Sequence, residues 1–75
     1  MIGMLALELV KNNIPFMVDY MGEMPVIRIK SKNDKISYLR ISYHEGDYGY
    51  YVRNTGLIEE NRTIDDIMKE AKKLM

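Results

Sequence analysis

The chain has 75 residues, no cysteine, and 11 lysines plus arginines balanced by 11 aspartates plus glutamates. That length supports one domain with one small core, and the missing cysteines exclude a disulfide framework and a thiolate zinc site. Zero formal net charge gives no global attraction to nucleic acid or to an anionic membrane, so such binding would need locally sorted charge.

The opening MIGMLALELV is apolar, but Glu8 interrupts it, no basic segment leads it, and it is too short to span a bilayer. Neither a signal peptide nor a membrane segment is expected, and cytoplasmic residence is the default expectation. Wound at 100° per residue, Ile2, Leu5, Ala6, Leu9 and Val10 form one stripe, which predicts a helix over residues 2–12. Asn12 and Asn13 tolerate a left-handed ending, and Pro15 forbids continuation. Met4 and Leu7 lie off the stripe and are expected at the surface.

Residues 16–20 alternate as a strand, with Phe16, Val18 and Tyr20 on one side and Met17, Asp19 and Met21 on the other. Gly22 and Glu23 begin a turn. A second strand covers residues 26–30, entered through Pro25, where a missing ladder N–H is tolerated. Ile27 and Ile29 face opposite to Arg28 and Lys30. The polar stretch 31–35 has hairpin length.

Residues 36–53, ISYLRISYHEGDYGYYVR, carry the strongest organising signal: two arms rich in Tyr, Ile, Leu and Val around the polar loop His44-Glu45-Gly46-Asp47. Leu39 and Ile41 share one face of the first arm, and Tyr38, Arg40 and Ser42 share the other. Asn54-Thr55-Gly56 reads as a turn, with Leu57 and Ile58 expected to tuck into the end of the core. Thr63 is the expected N-cap of a final helix, with Asp65 and Asp66 in its first turn. Ile64, Ile67, Met68, Ala71, Leu74 and Met75 keep helical spacing.

These elements assemble most simply as an α+β fold of order αββββα, a four-stranded antiparallel meander with the N- and C-terminal helices packed on one face. The covered face is expected to hold Phe16, Val18, Tyr20, Ile27, Ile29, Leu39, Ile41, Tyr50 and Val52. The opposite face would then present Met17, Arg28, Lys30, Tyr38, Arg40, Tyr51 and Arg53, together with Asp19, Met21 and Ser42. Adaptable Met beside Tyr and Arg is the composition of surfaces where binding energy concentrates.

Three uses of that face compete. One is a solvated wall with Tyr and Arg stacked across strands. The second is a protein-binding face, self-association to a homodimer included. The third is single-stranded nucleic acid stacked on Tyr38 and Tyr51 with Arg28, Lys30, Arg40 and Arg53 on phosphates. No RNP-like motif accompanies the third, and Asp19 opposes it. The apolar fraction and neutral charge favour a small non-catalytic protein-binding module of inhibitor or adaptor type, covering a surface of a larger partner.

Catalytic signals are weak. His44 is the sole histidine, and with Glu45 and Asp47 it makes an incomplete metal site. The five glycines are scattered singly, so no phosphate-cradling loop is present. Asp65 and Asp66 are accounted for by the helix N-terminus and, being adjacent, point apart, while Glu59-Glu60 are expected in a solvated loop; as a group the four would instead make an acidic patch. No enzyme activity, cofactor or metal is expected.

Overall fold

The strands expected from alternation are all present in the computed structural model, which describes residues 2–32, 37–43, 49–54 and 56–75. Helix α1 spans Ile2–Lys11. Strands β1 (Met17–Met21), β2 (Met24–Lys30), β3 (Tyr38–Ser42), β4 (Tyr50–Asn54) and β5 (Leu57–Arg62) follow, and helix α2 (Ile64–Leu74) closes the chain. The sheet is a single antiparallel meander in sequence order. The fold class is therefore α+β as expected, but with five strands rather than four.

The extra strand is the stretch expected to tuck Leu57 and Ile58 into the core. These side chains are instead 72% and 62% exposed. The sequence LIEENR lacks apolar alternation, so its strand conformation comes from backbone pairing with β4 rather than from burial. An extra residue in β5 shifts the register between Tyr50↔Arg62 and Val52↔Glu59, and Asn61 takes the left-handed φ of 55° there. This is a β-bulge.

Helix α1 ends in a Schellman motif. Asn13 sits at φ 57°, its N–H donates to Val10 O at 3.1 Å, and the Ile14 N–H donates to Leu9 O at 3.0 Å. Ile14 and Leu9 are both buried in the core, which supplies the apolar contact such endings carry. Val10, expected inside, is exposed. Gly22, at φ 64°, is the first residue of the two-residue loop joining β1 and β2, the position where such hairpins need a positive φ.

At the start of α2 the Thr63 hydroxyl accepts from the Asp66 N–H at 3.1 Å, and the Asp66 carboxylate accepts from the Thr63 N–H at 3.2 Å. This reciprocal capping box satisfies two donors that the helix itself leaves unpaired. The far end is tied to the sheet, since Leu74 O accepts from the Lys32 N–H at 2.9 Å and from the Ser31 hydroxyl at 3.2 Å.

Leu5 and Leu9 of α1 and Ile67, Met68 and Ala71 of α2 belong to one cluster with Ile27, Ile29, Leu39, Ile41, Tyr50 and Val52. Both helices therefore cover the same sheet face. Each fully buried aliphatic side chain there contributes roughly 1.5–3 kcal/mol through burial. Tyr50 meets Tyr43 edge to face, with ring centroids 5.2 Å apart, and burial raises its phenol above the ordinary range, the neighbouring Tyr43 adding to the effect. The cover stops short of β1. Val18 and Tyr20 are 52% and 63% exposed, although the register turns Val18 to the same side as Ile27.

Candidate functional site

Residues directly opposite one another in an antiparallel pair point to the same face. The register aligns Met17 with Arg28, Arg28 with Arg40, Arg40 with Arg53 and Arg53 with Ile58. One row thus crosses all five strands on the helix-free face, with three adjacent arginines at its centre. Lys30 pairs with Tyr38, and Ser42 with Tyr51, on the same side. All seven residues expected on this face (Met17, Arg28, Lys30, Tyr38, Arg40, Tyr51 and Arg53) lie on it.

Neighbouring strands are about 4.8 Å apart, so like charges directly opposite destabilise the sheet. Arg28 is relieved by Asp19, whose carboxylate lies 3.2 Å from its Nη1. Among the described residues Arg40 and Arg53 have no carboxylate at ion-pair distance. The Arg53 Nε is buried and has no hydrogen-bond acceptor there either. A shielded donor without a partner is uncommon in folded proteins and costly where water cannot reach.

Around these two arginines the face is concave. A hollow of about 130 Å³ has Arg40, Arg53, Ser42 and Tyr51 on its walls, with Met21, Met24 and Ile58 as its apolar lining. Val26 is only 1% exposed, although its partner Asp19 puts it on the helix-free side. A second hollow of about 240 Å³ lies toward the start of β1, lined by Phe16, Met17, Arg28, Lys30 and Lys32.

Neither Met24 nor Ile58 is expected on this face from the sequence, which places Ile58 at the end of the core. Met24 precedes Pro25, ahead of the expected strand over residues 26–30, and Ile58 lies on the unexpected fifth strand. Alternation counted back from Arg28 through Val26 would have placed Met24 on this face.

The loop His44-Glu45-Gly46-Asp47, considered for a metal, lies outside the described residues. No cluster of three or more metal-ligating side chains occurs among the described residues. Asp66 serves the helix start, where hydrogen bonds from Thr63 hold its carboxyl below the ordinary value. Glu59 pairs with Arg62 at 3.2 Å. Among the described residues no helix is long and apolar enough to cross a membrane.

Comparison with protein families, with curated proteins and with solved structures finds no match for the chain.

Proposed function

We propose that this chain is a small non-catalytic protein-binding module of inhibitor or adaptor type, which lays its helix-free sheet face over an acidic surface of a larger protein. The observation that carries this reading is the opposed pair Arg40 and Arg53, without a carboxylate partner among the described residues, in a hollow lined by Met21, Met24 and Ile58. Guanidinium groups ringed by adaptable apolar side chains suit a protein surface that offers both a carboxylate and aliphatic contact. Tyr38 and Tyr51 extend the contact area with little conformational entropy to lose.

The second hollow, with Arg28, Lys30 and Lys32, favours a runner-up, single-stranded nucleic acid along the same face. Against it stand the engagement of Arg28 by Asp19 and the zero net charge.

The test is parallel affinity capture with the wild-type chain and a folded Arg40→Glu/Tyr51→Ala variant, followed by reconstitution with the purified captured protein. A protein that binds wild type and loses the variant supports the proposal, and a homodimer would be seen as a doubled mass in sizing. Equal binding to both would remove this face from the account. Oligonucleotide binding at low salt that falls steeply as salt rises would transfer it to the runner-up.

A further inference from the structure

We infer that the hollow at Arg40 and Arg53 is a carboxylate site, which receives a Glu or Asp side chain of the partner protein flanked by apolar residues. This rests on the proposed protein-binding use of the face and specifies its chemistry. Three observations converge. The donors there are in excess, because Arg40 and Arg53 face each other with no ion-pair partner among the described residues. The Arg53 Nε, shielded and without an acceptor, is the edge of the guanidinium that offers two parallel N–H groups to a planar carboxylate. The lining from Met21, Met24 and Ile58 matches an aliphatic stem.

The size of the hollow is compatible with that occupant, since about 130 Å³ accommodates a carboxyethyl group. Engaging the shielded Nε requires a turn of the Arg53 side chain, a kind of change common when interfaces form. Ser42, opposite Tyr51, supplies a hydroxyl donor at the wall.

The experiment is a nuclear magnetic resonance titration of the ¹⁵N-labelled chain with three N-acetylated peptides: acetyl-Leu-Glu-Leu-amide, its Gln counterpart, and acetyl-Leu-Gln-Leu with a free C-terminus. Saturable shifts of the Arg53 Nε–H signal and the Ser42 and Tyr51 amides are expected with the Glu peptide, while Ala71 in α2 stays still. The other two peptides should bind at least tenfold more weakly, and Arg53→Lys, which keeps the charge but loses the fork, should weaken the Glu peptide at least tenfold. Equal response to the Gln peptide, tighter binding of the free C-terminus, or tighter binding of inorganic phosphate or an eight-residue oligothymidylate would overturn the assignment. If the peptides fail while Arg40→Glu/Tyr51→Ala still loses the captured protein, the carboxylate assignment falls and the docking face stands. If they bind while capture is unchanged, the hollow takes carboxylates, but its assignment to a partner's side chain falls with the docking face.

Discussion

Arg40 on β3 and Arg53 on β4 are direct cross-strand partners on the helix-free face, and neither has a carboxylate at ion-pair distance among the described residues. A sheet selected only for stability would place opposite charges there, because opposed like charges are unfavourable and opposite ones contribute roughly 0.2–1 kcal/mol. Arg40→Glu supplies the missing partner. It should raise the stability of the isolated chain by about 0.5 kcal/mol, read as a higher urea midpoint at low salt, while abolishing binding at the face. A lower midpoint would mean that Arg40 already stabilises the fold.

The start of α2 depends on the exchange between Thr63 and Asp66. Thr63→Ala should cost about 1 kcal/mol, measured by denaturant unfolding. The Asp66 carboxyl is held below its ordinary value of 3.8, first by the backbone hydrogen bond from Thr63 and then by its side chain. The unfolded chain therefore takes up the proton first as pH falls, so this contribution is complete above the unfolded value and is lost as pH drops through the folded one. Asp66→Asn should have a shallower acid limb in its stability profile than wild type. An unchanged limb would show that the carboxylate is not coupled to folding.

Gly49 is set by the bulge of β5. A Cβ added there would lie 2.6 Å from the Asn61 carbonyl carbon and 2.9 Å from Arg62 O, both backbone atoms that cannot swing aside. Gly49→Ala should destabilise by about 1–3 kcal/mol, as overpacking does. Gly3→Ala, with nothing within 4 Å of the new methyl and helical surroundings, should be neutral or slightly stabilising. Similar thermal midpoints for the two variants would contradict the close approach of β4 and β5.

Much of this molecule was legible because its signals are periodic. Leu39 and Ile41 against Tyr38 and Arg40 state a half-buried strand, and Ile64, Ile67, Met68 and Ala71 state a helix face. The same alternation places Arg28, Arg40 and Arg53 on one side. What it could not show was register, and so it could not show that these three arginines fall in a single row. Strand β5 was missed because Leu57 and Ile58 are followed by Glu59, Glu60, Asn61 and Arg62, which leave no burial pattern behind. Val18 and Tyr20 were expected inside because alternation reports which side of a sheet a residue faces. It does not report how far a helix reaches over that side.

The most direct measurement is the urea midpoint of Arg53→Met against wild type. Methionine keeps an unbranched apolar stem and removes the charge and the buried Nε donor. If the helix-free face is reserved for a partner, the arginine is a burden to the isolated chain, because an unsatisfied buried donor costs about 1–3 kcal/mol. The account predicts a higher midpoint for Arg53→Met, with an unchanged denaturant dependence and loss of binding at the face. A lower midpoint would contradict it, because Arg53 would then be part of a solvated wall that holds the sheet together.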